Sequence, residues 1–143
     1  MKLSTKGRYS TKAMLDLALH FNEDPILIKD IARRRGISER YLVQLFIPLR
    51  VAGLVRSVRG AKGGFTLAKS PPEIRLSEII QTMEGSTAPV ECVDQPWLCP
   101  QSGECVTWGV WAEMKKASDK VLESITLQHL VEQEREKRNS AGK

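Results

Sequence analysis

The chain lacks the features of a membrane, secreted or hydrolytic protein. No apolar run in its 143 residues approaches the roughly 18 residues that cross a bilayer, and the N-terminus has no apolar signal core. Its only histidines, His20 and His129, are isolated, and no Ser/Cys–His–Asp spacing indicates hydrolysis. No GxxxxGK(S/T) loop is present to cradle nucleotide phosphates. These absences predict a cytoplasmic protein that is not an enzyme.

Cysteine is scarce, and its three copies are close in sequence. Cys92, Cys99 and Cys105 lie in a Pro- and Gly-broken segment, residues 85–105, which exceeds the usual length of an unsupported loop. Three thiols cannot all pair within one chain, which favours a ligand or redox role over a disulfide framework. An iron–sulfur cluster, a zinc site and an oxidisable thiol pair are the alternatives that these residues leave open.

The net charge of +5 hides an asymmetry between the two halves of the chain. Residues 1–75 carry 15 Lys/Arg against 6 Asp/Glu, whereas residues 76–143 carry 7 against 11. A basic half joined to a mildly acidic one indicates a module that binds a polyanion, with a second module attached.

The basic half has the pattern of three helices. Apolar stripes predict helices over residues 7–22 and 26–35, and Ser38 is a good N-cap for a third helix beginning at Glu39. Two helices joined by a short turn at Gly36 predict a helix-turn-helix over residues 28–49. Pro48 predicts a kink or an early end of the third helix, because proline has no N–H.

The exposed face of the third helix carries Arg40, Tyr41 and Gln44. Arginine and glutamine side chains can contact base edges in a major groove. Two short strands, residues 54–58 and 64–67, then predict a hairpin with its tip at residues 59–63. Arg and Lys at that tip suit phosphates or a narrow minor groove, and its glycines allow close approach of the backbone.

The acidic half is predicted to be helical on both sides of the cysteine segment. A helix over residues 71–84 ends at Gly85, and a second helix of about 20 residues starts near Val106. Its apolar residues recur mostly at spacings of four, so it needs burial, either against a second copy or within one chain. A last helix is predicted over residues 127–137.

Three stretches resemble the Rrf2 family of bacterial regulators, and most of all its IscR branch. They are residues 1–9 (MKLSTKGRY), residues 37–46 (ISERYLVQLF) and residues 49–65 (LRVAGLVRSVRGAKGGF), and the three cysteines complete the match over residues 1–131. The resemblance implies a homodimeric winged helix-turn-helix transcription factor that holds an iron–sulfur cluster. The cluster is [2Fe-2S] in the IscR branch and sometimes [4Fe-4S] in the nitric-oxide-sensing branch.

The resemblance also implies roles for individual residues. The cluster ligands would be Cys92, Cys99 and Cys105. The major groove would be faced by Ser38, Arg40, Tyr41 and Gln44, and the minor groove would take the wing tip, with Arg59, Gly60, Lys62 and Gly63.

Three positions depart from the family pattern. The IscR branch has a histidine ligand where this chain has Trp108, and it often has an acid where this chain has Val43. The nitric-oxide-sensing branch uses an acid where this chain has Arg8.

The sequence as a whole predicts a mainly α fold with a small β-hairpin wing. Its predicted parts are a winged helix-turn-helix domain (1–84), a cluster-binding loop (85–105), a dimerisation and C-terminal helix region (106–138) and a frayed tail (139–143). The predicted function is that of a homodimeric regulator of a double-stranded DNA operator, controlled by the cluster. A cluster-free thiol switch or a zinc-containing regulator is the alternative.

Overall fold

The computed structural model describes residues 2–101 and 103–142. Three residues of the predicted segments therefore lie outside the described residues: Met1 in the opening motif, Ser102 in the cysteine segment and Lys143 in the tail. Seven α-helices and one two-stranded antiparallel hairpin occur in this part of the chain, which confirms the predicted mainly α fold. The elements are α1 (Thr5–Leu19), α2 (Ile28–Arg35), α3 (Glu39–Val51), β1 (Val55–Val58), β2 (Gly64–Leu67), α4 (Leu76–Glu84), α5 (Glu91–Asp94), α6 (Val106–Ser124) and α7 (Leu127–Ala141).

Helices α1, α2 and α3 pack around one apolar core. Each contributes the buried stripe that its periodicity predicted, and α4 and α7 close the same core. The largest fully buried side chains include Met14, Ile31, Phe46, Ile79 and Leu127. Because α7 supplies buried residues to this core, the chain returns to the N-terminal domain after α6. The predicted domain limits stay a prediction.

The hairpin is attached firmly to the helices. Val55 pairs with Leu67 and Val58 with Gly64, which sets the register of the two strands. Phe65 then exchanges two backbone hydrogen bonds of 2.8 Å with Ile26, just before α2. Its ring stacks on Phe46 of α3 with the centroids 4.6 Å apart. Hairpin and helix-turn-helix therefore move as one unit.

Several helix ends differ from the prediction for local reasons. Helix α1 starts at Thr5 because the Ser4 hydroxyl accepts a hydrogen bond from the Gly7 N–H at 3.2 Å. The early end predicted at Pro48 is wrong, since α3 continues to Val51 and proline removes one ladder hydrogen bond only. Helix α7 runs to Ala141, beyond the predicted residue 137.

Helix α6 is the longest element and the least covered. None of its 19 residues is buried, although it carries two tryptophans and several aliphatic side chains. Helix α7 turns back from its end, where the Leu127 N–H donates to the Ile74 carbonyl at 2.9 Å. Among the described residues, no helix has both the length and the apolar character that crossing a bilayer requires.

A buried ion cluster joins α1 to α2. Asp16 is fully buried and accepts two hydrogen bonds from Arg34, at 3.0 and 2.7 Å, and one from Arg35 at 3.1 Å. The hydrogen bond to Asp16 raises the pKa of Arg34 above its usual value. Arg35 also donates to Glu134 of α7 at 3.3 Å. The cluster fixes the end of α2 immediately before the turn to α3.

Replacing Asp16 with Asn should destabilise the protein strongly, because two arginines would lose the anion that pairs with them. We expect a loss of about 3 kcal/mol in the free energy of unfolding, measured in urea at fixed protein concentration. The matched control is Asp30→Asn, which breaks the exposed pair between Asp30 and Arg33 at 3.4 Å and should cost less than about 0.5 kcal/mol. Equal losses in the two variants would contradict the assigned role of the cluster.

Candidate functional site

The outer face of α3 is accessible. As predicted, Ser38 caps the helix: its hydroxyl accepts a hydrogen bond from the Tyr41 N–H at 3.1 Å. Ser38 is itself exposed to solvent. Arg40 and Gln44 lie one turn apart on the solvent side, opposite the buried Leu42 and Leu45. This part of the predicted DNA-reading surface is therefore free to enter a groove.

Tyr41 points differently from Arg40 and Gln44. Its ring meets that of Tyr9 edge to face, with the centroids 5.9 Å apart, and the side chain is half-buried. Arg8 and Lys12 stand over the Tyr9 ring at 5.8 and 5.4 Å. The sequence had not indicated these two cations of α1, because only the fold sets them beside the start of the helix-turn-helix.

The wing tip presents its charge to solvent. Arg59, Gly60 and Lys62 are exposed, whereas Gly63 is buried. A Cβ at Gly63 would lie 2.4 Å from the Val58 carbonyl oxygen, and Gly60 has a φ of +110°. Gly63 therefore shapes the tip, while the exposed Arg59 and Lys62 supply the positive charge of the predicted minor-groove contact.

The cysteine segment is fastened to α6 at two points. The Trp108 indole N–H donates to the carbonyl of Cys92 at 2.8 Å, so the residue that replaces the family's histidine positions a cysteine backbone. The Thr87 hydroxyl donates to Asp119 at 2.5 Å. Although burial opposes it, hydrogen bonds from Lys115 and Thr87 lower the pKa of Asp119, which keeps this anchor ionised.

The same segment begins beside the N-terminus of α1. Glu84, the last residue of α4, accepts hydrogen bonds from the backbone N–H of Ser4 at 2.9 Å and from its hydroxyl. A Cβ at Gly7 would lie 2.5 Å from the Glu84 carboxylate oxygen. Sequence reasoning missed this contact, since its partners are 80 residues apart.

The three thiols are free and half-buried. The Thr107 hydroxyl, 3.1 Å from the Cys105 sulfur, lowers the pKa of that thiol, and backbone N–H groups at the start of α6 act in the same direction. The lowered pKa of Cys105 favours the thiolate, the form of cysteine that binds metals or reacts with oxidants.

The donor set of the segment fits an iron–sulfur cluster chemically, because three accessible thiols supply the ligands that such clusters use. In residues 2–101 and 103–142, however, no group of three His, Cys, Asp or Glu side chains is arranged to hold a metal ion. The structure thus places the predicted ligands Cys92, Cys99 and Cys105 in one segment without bringing them into one coordination site. Trp108 has no nitrogen lone pair to offer iron.

Comparisons with known proteins agree with this architecture. The family model Rrf2, described as an iron-dependent transcriptional regulator, matches residues 3–133. Protein rrf2 of Nitratidesulfovibrio vulgaris (strain Hildenborough) is 42% identical over 131 residues, covering 92% of this chain and 87% of that protein.

Two solved structures are similar throughout. CymR, the global cysteine regulator of B. subtilis, matches with a TM-score of 0.78 and 39% identity, over 92% of this chain and 97% of that chain. T. potens IscR matches with a TM-score of 0.77 and 45% identity, over 93% and 88% of the two chains.

Proposed function

Because the chain belongs to the Rrf2 family of transcriptional regulators, we propose that it binds operator DNA as a homodimer under the control of its cysteine segment. It is a DNA-binding regulator and, like its relatives, not an enzyme. The winged-helix fold was predicted and is confirmed. The proposal concerns the DNA contacts of the regulator, its assembly and the signal that it senses.

The observation that carries the DNA contact is the rigid pairing of an exposed helix face with an exposed basic tip. Arg40 and Gln44 on α3 read base edges in the major groove, and Ser38 lies at the start of the same face. Arg59 and Lys62 reach the adjacent minor groove or phosphates. Since Phe65 fixes the hairpin to the helices, the distance between the two contacts is set before binding.

Arg59→Ala and Lys62→Ala should each weaken binding to a duplex selected by the wild-type protein. We expect about a tenfold loss of affinity and a salt slope that is smaller by about 1, because each variant removes one cation from the DNA contact. Fluorescence anisotropy across a salt series measures both. The control Lys137→Ala, an exposed residue of α7, should change neither; equal losses in all three variants would contradict the assigned surface.

The exposed apolar residues of α6 support the pairing of two copies. Its exposed aliphatic residues form one stripe along the helix and are far too apolar for a solvated surface. Their exposed fractions are 87% for Val106, 51% for Val110, 39% for Met114 and 56% for Val121. The stripe extends along most of the helix, from Val106 to Val121, so it can pack against its own copy across a two-fold axis.

A charge in the middle of this stripe should separate the two copies. Val110→Glu and Met114→Glu would each bury a carboxylate without a partner, so we expect the mass of one chain at micromolar concentration where the wild type has the mass of two. Sedimentation velocity measures the change. Val51→Glu, an equally drastic change on exposed α3, should leave the dimer intact. If the wild type is itself a monomer at this concentration, the proposed pairing is wrong.

For control, we infer that Cys92, Cys99 and Cys105 hold an iron–sulfur cluster, [2Fe-2S] first and [4Fe-4S] second, as the IscR relatives suggest. A bound cluster would supply a centre that oxidants, nitric oxide or iron shortage can alter. The protein transmits that state through its own contacts. Trp108 and Thr87 tie the segment to α6, so the segment biases how two winged domains are spaced over half-sites about 34 Å apart.

A thiol switch is the second candidate, and two observations favour it. No metal-holding group is assembled among the described residues, and CymR, whose structure is similar, is described as a cysteine regulator. In this mechanism two thiols form a disulfide and give up two protons and two electrons to an oxidant such as hydrogen peroxide. The Thr107 hydroxyl, 3.1 Å from the Cys105 sulfur, lowers the pKa of Cys105 and so favours its reactive thiolate.

Anaerobic reconstitution with iron and sulfide distinguishes the candidates. We expect a coloured protein with bound iron and sulfide, and we expect Cys92→Ala to lose both, because removal of one thiolate leaves too few ligands. Leu98→Ala, an exposed neighbour of Cys99, should retain the colour. If the wild type stays colourless and its operator affinity responds to peroxide, the thiol switch is correct and the cluster is not. If the wild type binds one zinc ion per chain, both of these candidates are wrong.

A further inference from the structure

The DNA-facing side of α3 contains two exposed aliphatic residues that neither the core nor the wing uses. Val43 is 48% exposed and Ile47 is 56% exposed. Together with Arg40 and Gln44 they occupy positions i+3, i+4 and i+7 of one helix face, so the four side chains are neighbours. An exposed valine or isoleucine is ordinary by itself, but two beside the proposed base-reading side chains form an apolar strip in the proposed contact.

The charge around this strip decides what can cover it. Between residues 39 and 62 the chain has five exposed cations, Arg40, Arg50, Arg56, Arg59 and Lys62, against a single acid, Glu39. A second copy docking face to face would set these cations against one another. A nucleic acid duplex satisfies both features, because its phosphates match the surrounding charge and its major groove contains one apolar group, the C5-methyl of thymine.

We propose that Val43 and Ile47 are specificity-determining residues that contact thymine methyl groups in each operator half-site. This inference rests on the proposed insertion of α3 into the major groove. Residues 43 and 47 are one turn apart, about 6 Å along the helix, so the two methyl groups belong to base pairs within a few steps of each other. Arg40 and Gln44 then read guanine or adenine next to them.

The test uses the full-length reconstituted protein and a duplex that it selects from a randomised library. Each thymine of the selected half-site is replaced in turn by deoxyuridine, which removes only the methyl group. We expect two sensitive positions, each weakening binding about fourfold, the value of one buried methyl at about 0.8 kcal/mol. Val43→Ala should abolish the sensitivity at one position and Ile47→Ala at the other, because the methyl then has nothing to contact.

Alanine has a higher helix propensity than valine or isoleucine, so both variants should fold. The matched control is Val51→Ala, which changes an 84% exposed valine about 6 Å beyond Ile47 and about 12 Å beyond Val43 along α3, and it should retain both sensitive positions. The inference is overturned if no deoxyuridine substitution changes the affinity while Arg40→Ala and Gln44→Ala still weaken DNA binding. The proposed function would then remain supported.

Two other outcomes are informative. A change of oligomeric state in Val43→Ala or Ile47→Ala, with DNA affinity retained, would make the strip a protein contact and overturn the inference. Failure to select any specific duplex would overturn the proposed function itself.

Discussion

The apolar side of α6 is a constraint that one copy of this chain does not satisfy. The helix has 19 residues and no buried one, while every other long helix contributes to a common core. A surface of this kind is stable in water only when it is covered. The winged domain has its own core, closed by α4 and α7, and α6 contributes no fully buried residue to it. The core of the domain and the exposed stripe of α6 are thus separate apolar surfaces.

The cysteine segment lies between these two surfaces and contacts both. Trp108 and Asp119 connect it to α6, and Glu84 connects its first residues to the start of α1. A rearrangement of the segment would therefore change contacts on α6 and at the N-terminus of α1 together. In the proposed dimer, a local change in thiol chemistry would reach the relative placement of the two winged domains without passing through the core.

Much of the fold could be predicted because its signals are local. The stripe of α3, its Ser38 cap, the glycines of the wing tip and the stop at Gly85 each depend on a few consecutive residues. The start of α1 was missed although its Ser4 cap is local, and the contact of Ser4 with Glu84 from a distant helix could not be predicted. The early helix end at Pro48 does not occur, because the loss of one hydrogen bond is smaller than the gain from burying Leu49 one residue later; the kink at Pro48 stays a prediction.

The site divides along the same line. Sequence spacing predicted that the three cysteines share one segment and that Arg40 and Gln44 share one face. It did not predict that Tyr41 would turn to Tyr9, since the partner ring belongs to another helix. The convergence of the thiols also depends on backbone geometry over residues 92–105, which spacing alone does not determine. The DNA-reading and metal-binding roles of these residues remain predictions.

The contact between Glu84 and the N-terminus has a practical consequence for anyone who handles this protein. The backbone N–H of Ser4 donates to the Glu84 carboxylate, and a Cβ at position 7 would displace that carboxylate. Position 7 should therefore stay glycine in variants of this protein, whereas Lys2 and Leu3 are exposed and tolerate change.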